Sequence, residues 1–158
     1  MSQGVEWAVH TLLNLAWSST GEPVSVATLA GGHDLPRPYL NKQLQQLVKA
    51  GLLVSVPGAR GGFQLTRPAE SITLLDIFDA IEGSEPLFRC TEIRQCGTIG
   101  VRTACDFTAP CAVKSAMGRA ETAWRAALAS QTLADVRAEA DTHAPTMSRT
   151  VRGAFGLD

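Results

Sequence analysis

A mainly α-helical fold with one small β-hairpin and, beyond it, one long helix is what this sequence predicts. Three observations carry the prediction. Apolar residues recur at helical spacing in several separate segments. A glycine-rich turn, Pro57 to Gly62, divides two short runs suited to strands. A chain of 158 residues is long enough for a single hydrophobic core with appendages.

Residues 5–17 form the first expected helix, with Val5, Ala8, Val9, Leu12, Leu13 and Ala16 on one stripe. Residues 24–30 form a short second helix, with Ser25 as a candidate N-cap and Gly31-Gly32 ending it. The third spans 36–50. Its prolines, Pro36 and Pro38, are tolerable only in the first turn, and Leu40, Leu44, Leu47 and Val48 keep the helical period. Strands at 52–56 and 63–66 flank the glycine-rich turn. Thr73 with Asp76 has the spacing of a capping box and opens a helix over 73–82 that Gly83 closes. The stretch 84–110 reads as loop. A long helix is expected over 111–130 and a shorter one over 132–140, followed by a flexible tail of small and polar residues.

No apolar run approaches the roughly 20 residues of a membrane span, and the first residues lack the layout of a secretory signal. A cytoplasmic, reducing location is expected, with no membrane partner. There, four cysteines suit ligands or sensors better than structural disulfides.

The net charge of −1 conceals an uneven distribution. From Leu35 to Ala69 there is no acid, while Arg37, Lys42, Lys49, Arg60 and Arg67 are all positive. From Glu70 to Glu92 the sign reverses, with Arg89 the lone cation. A basic window is the footprint of a polyanion-binding surface, and here it coincides with the third helix and the hairpin. Three helices followed by a hairpin is the element order of a winged helix-turn-helix, whose third helix enters the DNA major groove. Arg37, Tyr39, Asn41, Lys42 and Gln45 lie on the first turns of that helix, away from its apolar stripe. They offer guanidinium, amide and ammonium groups to base edges and phosphates. Arg60 occupies the hairpin tip. Gly58, Gly61 and Gly62 would allow a tight turn and a close approach of the backbone to phosphate. A solvated helix face beside an ordinary hairpin would fit any one of these features, but their agreement favours DNA.

The runs Tyr39-Leu40-x-Lys42-x-Leu44-x-x-Leu47-x-x-Ala50-Gly51-Leu52-Leu53, Gly61-Gly62-Phe63-x-Leu65-x-Arg67-Pro68 and Ile72-Thr73-Leu74-Leu75-Asp76-Ile77 resemble the Rrf2-type regulators. These are bacterial winged-helix dimers that include iron–sulfur and nitric-oxide sensors, and the resemblance spans residues 4–135. It implies a transcription regulator, a repressor, that reads double-stranded operator DNA as an approximate inverted repeat. One departure concerns the wing. Relatives often carry an Arg just before the turn, where this chain has Pro57, so its wing cation is Arg60.

The cysteines are Cys90, Cys96, Cys105 and Cys111, and no CxxC pair occurs, which argues against a zinc ribbon or a thioredoxin-type couple. On the first helix, Glu6 and His10 are one turn apart on a face beside the apolar stripe, so both can reach one point. Trp7 and Trp17 also lie off that stripe and suggest a second buried surface, a dimer contact. The segments Gly4 to His10, Phe88 to Gln95 and Cys111-x-x-x-x-Ala116-Met117-Gly118 resemble a redox-regulating branch of the same family. That resemblance implies a 2Fe-2S cluster bridging a homodimer, with Cys90 and Cys111 from one subunit and Glu6 and His10 from the other. Nitrogen ligation on one iron raises the potential into a usable range. The alternative pattern is a 4Fe-4S cluster on Cys90, Cys96 and Cys105 with Glu6 as an oxygen ligand, which leaves His10 without a role. Trp7, beside Glu6, is the expected switch: a change in its rotamer would be felt in the packing beneath the third helix.

Two other functions compete. One is a regulator that senses through bare cysteines or zinc, without a cluster. The other is a small redox enzyme or cluster carrier, against which stands the absence of a nucleotide-binding glycine motif or a Ser-His-Asp grouping. His33 and His143 read as structural or surface residues. Val113, Met117, Ala120, Trp124 and Ala127 recur along the long helix as a pairing seam. The expected organisation is a DNA-binding domain over 1–83, a cluster-binding loop over 84–110, dimerisation helices over 111–140 and a tail over 141–158.

Overall fold

The computed structural model describes residues 1–18, 21–98 and 110–157. They form two compact units, one of Met1–Ser84 together with Leu128–Asp158, the other of Glu85–Ala127.

In the first unit, α1 (Gln3–Ser18) is the central element. Its N-terminal half is amphipathic, but from Thr11 to Ser18 every side chain is buried. That helix packs against α3 (Arg37–Lys49), β2 (Gly62–Leu65), α4 (Leu74–Glu82), α6 (Leu133–His143) and α7 (Met147–Phe155). The core gathers Leu12, Leu29, Leu40, Leu44, Leu47 and Ile77, all without exposure to solvent. Ser25 caps α2 (Val26–Gly31) by accepting from the Thr28 N–H, as its position in the sequence indicates. Val24, expected within that helix, is instead extended and pairs with Phe63 through two reciprocal backbone hydrogen bonds of 2.9 Å. The hairpin of β1 (Leu53–Val56) and β2 thereby gains a third edge and is anchored to the core by Phe63.

Thr73 caps α4 in a full capping box. Its hydroxyl accepts from the Asp76 N–H at 3.0 Å, and the Asp76 carboxylate accepts from the Thr73 N–H at 2.9 Å. Thr73→Ala is expected to lower stability by about 1 kcal/mol, read as a reduced midpoint of urea denaturation with an unchanged slope.

Two further sequence expectations need correction. The stretch after Asp141 is not a structureless tail. Helix α6 continues to His143, and α7 follows, with Met147, Val151 and Phe155 four residues apart on one face. Val151 is buried, and Phe155 packs against the core. Trp17 does not supply a dimer contact either. It is 8% exposed within its own chain, and its indole N–H donates to Asp141 Oδ1 at 2.8 Å.

The second unit holds the segment from Glu85 and most of α5 (Ala112–Ala129), with a 3₁₀ turn at Ile93–Gln95. The Leu87 N–H donates to Glu121 on α5 at 3.1 Å. No residue of α5 is buried in the single chain. Among the described residues, no helix is long and apolar enough to cross a membrane.

Candidate nucleic-acid interface and thiol cavity

Helix α3 begins after Pro36, whose extended backbone places Arg37 and Pro38 in the first turn. Leu40, Gln43, Leu44 and Leu47 point inward, which leaves Arg37, Tyr39, Asn41, Lys42 and Gln45 exposed on the opposite side. Arg60 is exposed at the hairpin tip. The two adjacent glycines are needed for reasons internal to the chain. A Cβ on Gly61 would strike the Val56 carbonyl, and one on Gly62 would strike the Val24 carbonyl. The close backbone approach expected here is thus made first to the protein itself.

Trp7 is half-buried, and its ring stands edge-on to that of Tyr39, with centroids 5.4 Å apart and planes at 76°. The first helix therefore touches the exposed face of α3 through an aromatic pair. Glu6 and His10 are both exposed on α1. The His10 ring lies 5.5 Å from that of His33, which accepts from the Asn14 amide at 2.8 Å. Burial, and then the neighbouring His10, hold the His33 pKa below its ordinary value. His33 sits in the turn between α2 and α3, a placement that sequence periodicity does not reveal.

Within the second unit, Phe88, Cys90, Glu92, Arg94, Cys111 and Val113 are among the residues around a cavity of about 590 Å³. Cys90 is half-buried and Cys111 is 8% exposed. Cys96 is exposed and is not among the residues lining that cavity. Cys105 lies outside the described residues. Cys111 immediately precedes α5, and its thiol is drawn below the ordinary cysteine pKa. The backbone N–H of Lys114 acts most strongly, burial opposes it, and the N–H of Val113 and the Arg94 charge add to it. Cys90 donates to Glu92 Oε1 at 3.5 Å. The Glu92 Oε2 atom accepts from Arg94 Nε at 3.1 Å and from Arg94 Nη2 at 2.7 Å. The sequence offers no pattern by which to single out this Glu–Arg pair, because its meaning comes from the cavity it lines. Among the described residues of one chain, no three His, Cys, Asp or Glu side chains converge as a metal site.

The three-helix core, the anchored hairpin and the exposed cations and amides on α3 define a winged-helix DNA-binding transcription regulator. The chain belongs to the Rrf2 family, described as an iron-dependent transcriptional regulator, which matches residues 1–139. Protein rrf2 of Nitratidesulfovibrio vulgaris is 32% identical over 134 residues, covering 85% of this chain and 84% of that relative. The structure of T. potens IscR is similar with a TM-score of 0.69 at 28% identity, covering 91% of this chain and 90% of that one. CymR, the global cysteine regulator of B. subtilis, shares the fold with a TM-score of 0.68 at 24% identity, covering 88% of this chain and 96% of that one. The family places this chain among regulators rather than enzymes. Helix α7 lies beyond the matched residues.

Proposed function

We propose that this chain is a cytoplasmic homodimeric repressor whose operator binding is governed by a 2Fe-2S cluster that responds to redox state or nitrosative stress. In this it resembles the redox regulator RsrR. The observation that carries the proposal is the placing of Cys90 and Cys111 around one cavity. Two cysteines are half of a ligand set. Glu6 and His10 of the partner subunit supply the rest. A second copy also accounts for the apolar side chains that the second unit leaves in solvent, including Val113 at 60% and Met117 at 44% exposure. The 4Fe-4S alternative is less well supported, because Cys96 stands apart from that cavity.

A cluster held this way supplies a one-electron couple and a local change of charge. The protein's own residues carry the rest of the mechanism. Glu6 and His10 fix the position of α1, and Trp7 bears on Tyr39 of α3. A small displacement of α1 therefore reaches the groove-reading helix directly. A difference of about 3 kcal/mol between two such arrangements changes operator affinity by roughly two orders of magnitude.

Absorption spectra with iron and sulfide analysis of anaerobically purified protein test the reading. Visible bands with equal iron and sulfide, lost in both Cys90→Ala and Cys111→Ala, are the expected result. A colourless parent, or a full visible spectrum in either variant, overturns it. A second reading, sensing by a bare thiol, is favoured by the lowered Cys111 pKa and predicts that colourless parent together with operator binding sensitive to thiol oxidants.

For DNA, Lys42→Ala and Arg60→Ala are expected to weaken binding on all sequences and to reduce its salt dependence. Asn41→Ala and Gln45→Ala are expected to relax discrimination by about 1–3 kcal/mol at particular base pairs. Titrations against operator and scrambled duplex at several salt concentrations separate the two classes. Parental behaviour in all four variants would move the reading helix elsewhere.

A further inference from the structure

Glu92 and Arg94 border the same cavity as Cys90 and Cys111, yet the cluster reading assigns them nothing. Glu92 holds a left-handed backbone conformation, with φ 52°, which non-glycine residues seldom adopt. Two residues on, Arg94 places both Nε and Nη2 on one carboxylate oxygen of Glu92, while the other oxygen of Glu92 faces Cys90 Sγ. An ion pair this accessible to water contributes little to stability, since its side chains are 34% and 40% exposed. Its neighbours give it a different role. The guanidinium holds the Glu92 carboxylate through two contacts on one oxygen, at the edge of the cavity that both cysteines line. The charge of Arg94 also acts on Cys111.

We propose that the Glu92–Arg94 pair is a positioning element that sets the reduction potential of the centre held by Cys90 and Cys111, with Arg94 raising it and Glu92 lowering it. This rests on the cluster reading above. Reduction adds one electron and hence one negative charge, which a fixed cation favours and a fixed anion opposes. The pair has a net charge of zero, so the effect comes from which member is nearer the added charge. Each half can therefore be removed separately, with opposite consequences. Arg89 also borders the cavity, and the Lys114 charge acts on Glu92. Both remain unchanged in the comparison.

The experiment is a mediated potentiometric titration with dithionite, followed by visible absorption, on the parent dimer, Glu92→Gln, Arg94→Gln and Arg94→Lys. Glu92→Gln is expected to shift the midpoint to more positive values and Arg94→Gln to more negative ones. Arg94→Lys, which keeps the charge, stays near the parent. If Arg94→Gln does not load, a coloured Arg94→Lys at the parental midpoint together with the positive shift of Glu92→Gln supports the proposal. Shifts of the same sign in the two Gln variants, or unmoved midpoints, overturn it while leaving the cluster reading intact. A colourless parent removes the cluster reading and this proposal with it.

Discussion

Gly62→Ala is expected to detach the wing, lower stability by roughly 3 kcal/mol and abolish measurable operator binding. The added Cβ would land on the Val24 carbonyl, with the Ser25 nitrogen only 2.8 Å away. Both obstacles are backbone, so no side chain can swing aside. The strand must move instead, and the reciprocal Val24–Phe63 hydrogen bonds of 2.9 Å are lost with it. Phe63, 5% exposed and part of the core, would be drawn out of place. Arg60, two residues before the glycine, would lose the frame that presents it. Gly31→Ala is the control, because a Cβ there meets nothing within 4 Å and the position is helical. Urea denaturation followed by circular dichroism, with operator titration on the same samples, checks the result. A Gly62→Ala protein as stable as Gly31→Ala would mean that β2 is not anchored as described.

The legible parts of this fold are those whose cause is local. The Thr73–Asp76 capping box, the Ser25 cap and the proline-opened third helix are short-range arrangements, and the structure has each of them. What escaped depends on tertiary surroundings. A helix stripe marks one buried face, but α1 from Thr11 to Ser18 is enclosed on all sides, so Trp17 off the stripe is still core. Helix α7 carries Met147, Val151 and Phe155 at the right spacing, yet Ser, Thr, Gly and Ala between them dilute the signal until α1 is there to receive it. Val24 is drawn out of α2 because an extended residue there satisfies the backbone of Phe63. The candidate site divides in the same way. Cys90 and Cys111 are visible as cysteines, whereas the ring contact between His10 and His33 and the Glu92–Arg94 pair are not implied by any spacing.

The proposed cross-subunit ligand set makes a prediction that no single-chain arrangement shares. Two variants are needed, Cys90→Ala/Cys111→Ala and Glu6→Ala/His10→Ala, each of which should lack a stable cluster as a homodimer. In a mixed dimer, the intact cysteines of one chain meet the intact Glu6 and His10 of the other. One complete site is restored, and the second site has lost all four ligands. Mixed dimers isolated through two different affinity tags should therefore recover visible absorption at about half the parental intensity per dimer, because thiolate-to-iron charge transfer scales with the number of occupied sites. Were all four ligands drawn from one chain, the mixed dimer would contain no intact site and would stay colourless. The same sample tests the switch, since operator affinity should depend on redox state in the mixed dimer and not in either homodimer. None of the four replaced side chains is a large core residue: Glu6 and His10 are exposed, Cys90 is half-buried, and Cys111 lies outside the central core cluster. Folding should therefore survive, and circular dichroism before the spectra confirms it. A colourless, folded mixed dimer beside a coloured parent would place the ligands within one chain and remove the cluster as the tie between the two reading heads.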